Sequence, residues 1–187
     1  PRPQAAQAAA LPAEPSRFVG RERELAALAR LVERERLVTI VGPPGAGKTR
    51  SALRLARTGP LPVVFVDLVD ARTAADLHLA VAQALGLAEG GAAADLGAAI
   101  AARGEALFLL DNVEYVAGEA GPILEEWLAR APAARFLLTS VARLGIAAEA
   151  CYELHGLALD EAVELYAERA RRVASDFELD RSAVERL

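Results

Sequence analysis

Cysteine occurs once in these 187 residues, methionine not at all, histidine twice and tryptophan once, and aromatic side chains make up only 5% of the chain. A lone Cys151 cannot close an internal disulfide, so the fold has to rest on its core, and a reducing compartment, the cytoplasm, is the natural expectation. His78 and His155 have no partner at metal-ligand spacing, which leaves them as packing or surface residues. No apolar run approaches the ~20 residues needed to cross a bilayer, and the N-terminus lacks the basic-then-apolar order of a secretory signal. A soluble chain without a membrane partner is expected. The formal net charge of -5 supplies no broad positive field, so direct nucleic-acid binding by this chain is not expected either. Methionine is missing even at position 1, and the chain therefore reads as a piece of a longer polypeptide.

What is abundant is small and aliphatic. Hydrophobic residues reach 53%, mostly alanine and leucine, a composition that favours helices and close packing, and the length suits one domain with its own core. Residues 1–15, PRPQAAQAAALPAEP, have little to bury and are expected to be a proline- and alanine-rich linker. From Ser16 the pattern changes: Leu25, Leu28, Leu31 and Val32 recur at helical spacing, with Arg and Glu on the other face.

Short apolar runs then alternate with helical stretches. LVTIV and ALFLLD read as buried strands, PVVFVDL, RFLLTS and CYEL as three more strands, and the segments 48–57, 74–85, 96–102, 123–130 and the one from Leu157 onward as helices, the last capped by Asp160. LAEGGAAAD reads as a surface loop and SDFELDRSAVERL as the start of one more helix. The rhythm predicts an α/β fold with a five-stranded parallel sheet between two layers of helices. Its core would span 16–156, and 157–187 would open a helical lid subdomain.

GPPGAGKT, from Gly42 to Thr49, matches the G-x-x-x-x-G-K-[ST] pattern and falls between a buried strand and a helix, the context its chemistry needs. In such a P-loop the backbone N–H groups of Gly42, Gly45, Ala46 and Gly47 and the positive end of the next helix face phosphates. Pro43 and Pro44 shape the turn, Lys48 would reach the β and γ phosphates, Thr49 would offer its hydroxyl to Mg²⁺, and Arg50 follows in the same turn. ALFLLDNVE ends a strand in Asp111, placing a carboxylate at the carboxyl edge of the sheet as a second magnesium group, with a plain turn residue as the alternative. Glu114 is the candidate general base, since Asn112 cannot take a proton. Upstream, Phe18 and Val19 offer flat apolar contact for an adenine and Arg21 a cation.

Taken together, FVGRERELAAL, IVGPPGAGKT, LFLLDNVEYV, LLTSVARLGI and LHGLALDEAVELYAERA resemble the ATPase domain of bacterial STAND regulators, the signalling ATPases related to NB-ARC proteins. The resemblance implies an ATP/ADP switch with slow Mg²⁺-dependent hydrolysis, set in a SARP-type or related transcriptional regulator. A DNA-binding module would stand upstream, helical and winged-helix domains downstream, and self-oligomerisation could accompany activation. It also implies adenine contact at Phe18, Val19 and Arg21, phosphate binding at Gly45 to Thr49 and magnesium at Asp111. The family usually places an arginine after the Thr-Ser that ends the fourth strand. Here Val141 follows Ser140, with Arg143 two residues on. The competing readings are an AAA+ remodelling ATPase and an interaction domain with a vestigial P-loop.

Overall fold

The computed structural model describes residues 11–14, 16–87 and 95–174. Five strands, β1 (Leu37–Val41), β2 (Val63–Asp67), β3 (Leu107–Asp111), β4 (Arg135–Ser140) and β5 (Ala150–Glu153), form one sheet in the order β2-β3-β4-β1-β5. Every pairing is parallel, with Val41 level with both Ser140 and Glu153, and Asp67 level with Asp111. Parallel strands need crossovers, and these are helical except between β4 and β5, where residues 141–149 connect the strands without a helix. The helices are α1 (Glu22–Arg34), α2 (Lys48–Thr58), α3 (Ala74–Ala84), α4 (Leu96–Ala101), α5 (Ala117–Arg130) and α6 (Leu159–Val173), with a 3₁₀ turn at Val113–Val116.

The sheet is covered on both faces because alternate side chains of each strand point to opposite layers. On one face Phe108, Leu110, Phe136 and Leu138 pack with α3, α4 and α5. On the other, Leu107, Leu109, Leu137 and Ile40 pack with α1 and α2. The expected strands hold to within a residue. The loop LAEGGAAAD falls largely on 88–94 and the tail helix on 175–187, both outside the described residues, as are residues 1–10.

Three local expectations are corrected. The helix read over 123–130 starts at Ala117, so Pro122 sits inside it. Proline removes the bond to the Gly118 carbonyl, yet buried Val116, Ala120 and Leu124 hold that stretch in the core, and tertiary packing outweighs the local signal. Asp160 does not cap α6. The helix is entered at Ala158, whose N–H donates to Glu161 Oε2 at 3.3 Å, while Glu161 Oε1 accepts the Arg21 N–H at 2.8 Å. Finally, residues 11–14, inside the stretch read as a linker, are seated on α2: Leu11 packs on the α1/α2 core, and Glu14 pairs with Arg54 and Arg57. Composition counted only what the segment could bury by itself, and partners supplied by α2 make up the difference.

Phe136 is central to the larger core, stacked between Phe108 at 5.4 Å and the single tryptophan, Trp127, at 6.2 Å. Phe136→Ala should lower unfolding free energy by about 3–5 kcal/mol, the usual range for emptying a buried aromatic site. Urea titration followed by Trp127 fluorescence reads the change directly. A loss below about 1 kcal/mol would mean that the two ring contacts carry little of the core.

Candidate functional site

The carboxyl ends of the strands bring the sequence-predicted residues to one edge. β1 runs out at Val41, the loop turns over Gly42 to Gly47, and α2 begins at Lys48. Gly42 is needed for close approach: a Cβ there would stand 2.4 Å from the Leu154 carbonyl oxygen. Gly47, the residue before α2, has φ 88°, a left-handed conformation that side-chain-bearing residues rarely adopt. The first N–H groups of α2 therefore face the space above the loop. Lys48 is buried and its ammonium donates to the Gly42 carbonyl at 2.9 Å and the Pro43 carbonyl at 3.2 Å. It lies across the mouth of the loop.

Beside it, Thr49 Oγ1 donates to Asp111 Oδ1 at 2.8 Å. Thr139, one strand further, donates to the same oxygen and accepts the Asn112 N–H at 3.0 Å. Asn112 has φ 64°, tolerable for asparagine, and its side-chain amide donates to Asp67 at 3.1 Å. Asp111 is thus the centre of a hydrogen-bonded cluster at the sheet's carboxyl edge. Burial pushes its carboxyl above the ordinary range, against the lowering effect of the Thr139 and Thr49 hydrogen bonds, and Asp67 and Glu114 push it further up. Glu114 lies at the start of the 3₁₀ turn with Oε2 buried and unbonded. A hydroxyl and a carboxylate 2.8 Å apart at the loop's mouth are hard oxygen donors that suit Mg²⁺, a cation content with few protein ligands. Among the described residues no group of three or more His, Cys, Asp or Glu could hold a metal ion by itself.

On the other side of the loop is a cavity of about 270 Å³. Its walls are Phe18, Val19 and Arg21, then Gly45, Ala46, Gly47, Arg50 and Ser51, then Gly156 and Leu157 after β5, and Ala162, Leu165 and Arg169 of α6. Phe18 and Val19 stand where an apolar ring could lie. Arg21 lines the cavity but its guanidinium is committed elsewhere, donating to the Ala46 carbonyl at 2.7 Å and the His155 carbonyl at 2.8 Å. His155 itself joins no metal group, and His78 rests against Trp127 on the far face. At the exit of β4, Val141 is 42% exposed, and the Arg143 guanidinium is paired with Glu153 at 2.7 Å.

Sequence reasoning missed Thr139 and Asp67 as members of the carboxylate cluster and α6 as a wall of the cavity. VVFVD ends in an aspartate just as LFLLD does, a signal that could have found Asp67. The α6 wall depends on a long-range approach that no local pattern encodes.

Residues 30–162 match the family described as AAA domain. The chain belongs to this family. This AAA domain is 32% identical over 170 residues to an uncharacterized protein of Mycobacterium tuberculosis, covering 87% of this chain and 43% of that one. It is 33% identical over 152 residues to a protein from the same species that bears the name of an HTH-type transcriptional regulator, covering 79% of this chain and 17% of the other. The chain thus spans less than half the length of these curated relatives. Among solved structures it resembles the Signal Transduction ATPase with Numerous Domains (STAND) protein with a tetratricopeptide repeat sensor from Pyrococcus horikoshii. There the TM-score is 0.53 and identity 24%, over 86% of this chain and 26% of the other. An AAA-type P-loop ATPase fold accounts for the sheet, the loop and the carboxylate edge together.

The raised carboxyl of Asp111 makes a stability prediction whose sign follows from linkage. The folded chain holds this proton more tightly than the unfolded chain, so the group's contribution is fully present below the ordinary carboxylate range. It is lost as pH rises through the interval up to the raised value. Asp111→Asn keeps an acceptor for Thr49 and Thr139 without the buried charge. In chelator at pH 7.5 it should melt at a higher temperature than the parent, and the difference should shrink towards pH 4. Melting curves that coincide at pH 7.5 would show that the buried charge is not a burden on the fold.

Proposed function

We propose that this AAA domain binds adenine nucleotide with Mg²⁺ and works as a slow ATPase switch within a bacterial multidomain regulator. The observation that carries the reading is the meeting of three features at one carboxyl edge. These are the Lys48 loop, the Thr49–Asp111 pair and the partly apolar cavity walled by Phe18, Val19 and α6. Phosphates would lie against the loop N–H groups from Gly45 to Thr49 and the Lys48 ammonium, with the ring towards Phe18, Val19 and Arg21. Thr49 and Asp111 would hold the metal, which supplies charge neutralisation on the phosphate oxygens. Glu114, with its buried unbonded oxygen close enough to Asp111 to raise that carboxyl, is the group to take a proton from an attacking water.

Slow turnover follows from what meets the developing charge. Phosphoryl transfer is accelerated by positioned cations. Beyond Lys48, the exit of β4 presents Val141, and Arg143 is held by Glu153. The switch role is supported by the HTH-regulator name of one relative and by the STAND neighbour. In that reading α6 opens a helical lid subdomain over 157–187, residues 1–15 tether a DNA-binding module, and further domains and self-association complete a cytoplasmic regulator. A γ-phosphate could bias such an assembly only through contacts that differ between its two forms.

The Lys48 ammonium would make charge-assisted bonds of about 1.5–3 kcal/mol to phosphate, so Lys48→Ala should weaken ATP binding at least about tenfold. Phosphate release by the parent chain should depend on Lys48 and stay well below the roughly 1–100 per second typical of kinases. Equal affinities in calorimetry would sink the nucleotide assignment. Lys48-dependent turnover of tens per second would instead favour a remodelling ATPase.

A further inference from the structure

The outer face of α2 carries Arg50, Arg54 and Arg57, four and three residues apart, which puts them on one stripe. Each of them grips the chain that precedes α1. Arg57 donates to the Leu11 carbonyl at 3.4 Å and to the Pro12 carbonyl. Glu14 stands 3.7 Å from both Arg54 and Arg57. Arg50 donates to the Ser16 carbonyl at 3.2 Å and the Arg17 carbonyl at 3.0 Å, and the guanidinium carbons of Arg50 and Arg54 each lie 5.7 Å from the Phe18 ring centre. Leu11 packs into the core beneath α1 and α2. Isolated surface pairs contribute little, but here three successive arginines bind one short segment through carbonyls, a carboxylate and a ring.

The far end of that segment is part of the cavity. Phe18 and Val19 form its wall, and Arg50 lines it from α2. The same helix therefore carries Lys48 and Thr49 in its first turn and the segment along its outer face. Leu11 and Glu14 do not line the cavity, yet they set where the chain approaches Phe18.

We infer that residues 11–14 and 16–19 form a strap whose anchorage on the arginine stripe of α2 positions Phe18 and Val19 as the base-side wall of the nucleotide cavity. Strap and nucleotide then stabilise one another, because a coupling between two binding events acts equally in both directions. Leu11 and Glu14 are positioning residues, acting on the base through Phe18 and leaving the phosphate cradle alone. Anything that lifts the strap lowers affinity for the base while the loop stays formed. The inference rests on the reading that the cavity takes an adenine nucleotide.

The test separates base from phosphates. The chain and its Leu11→Ala/Glu14→Ala double variant are titrated with a non-hydrolysable Mg²⁺–ATP analogue and, separately, with inorganic tripolyphosphate. Trypsin cleavage after Arg17, whose carbonyl Arg50 holds, is timed with and without the analogue. The double variant should bind the analogue about fivefold or more weakly and tripolyphosphate unchanged, and the analogue should slow cleavage after Arg17 in the parent chain. Glu14→Arg, facing two arginines, should reproduce the loss. Unchanged affinity for the analogue in the double variant overturns the strap, and so does an equal loss for both ligands, which would mean general damage to α2. A parent chain that binds neither ligand overturns the nucleotide reading and the strap's role together, whereas one that binds tripolyphosphate and the analogue equally overturns only the base wall.

Discussion

One buried guanidinium ties the site together. Arg21, 4% exposed and in a left-handed conformation with φ 65°, bonds the Ala46 carbonyl in the P-loop and the His155 carbonyl beyond β5. Its backbone N–H is taken by Glu161 of α6, and its other guanidinium nitrogen lies 3.6 Å from Glu24 of α1. The start of α1, the P-loop and the stretch from β5 into α6 meet on this one residue. A buried carbonyl deprived of its donor costs about 1–3 kcal/mol, so the arrangement of loop, β5 exit and α6 is held by bonds that are expensive to leave unmade. The cavity exists because Arg21 fixes its floor and its roof with respect to each other.

The site divides into two electrostatic halves across the loop. Towards β2 and β3 lie Asp67, Asp111 and Glu114, close enough that the first and last raise the carboxyl of the second. Towards α6 lie Arg50 and Arg169 beside the apolar wall. Lys48 stands between them, bonded to loop carbonyls. Such a gradient suits a ligand with an anionic, metal-binding end and a flat uncharged end. Phosphates would be unwelcome beside these carboxylates without a cation, which fits the proposal of a nucleotide bound with Mg²⁺.

The parts of this arrangement legible in the sequence are those with short-range signals. GPPGAGKT after LVTIV, and LFLLD with its terminal carboxylate, encode their roles within a dozen residues, and both sit where expected. Strands β1, β3 and β4 were readable because burial on both faces leaves nearly unbroken apolar runs, whereas the edge strands β2 and β5 are only partly buried. What escaped depends on approach through space. The helix read over 123–130 begins at Ala117, because core contacts of Val116 and Ala120 carry it across Pro122. The sequence reads the cap of α6 at Asp160, and only the fold shows that Glu161 accepts the Ala158 N–H at the helix entry and the Arg21 N–H at once. The grip of the α2 arginines on the N-terminal segment carries no local signal, because their partners lie more than thirty residues upstream.

Those arginines connect the two halves of the problem. A P-loop helix has to expose its first N–H groups to the ligand, so its N-terminus cannot be packed over, and its position must be secured from elsewhere. The inner face does this by burying Ala52, Leu53, Leu55 and Ala56 against the sheet. The outer face does it through Arg50, Arg54 and Arg57, which hold chain that continues into the cavity wall. A helix anchored on both sides moves as a unit with whatever it holds. Under the proposed role, a ligand on its first turn would be felt by the segment along its outer face, with no other moving part required between the cavity and the N-terminal chain.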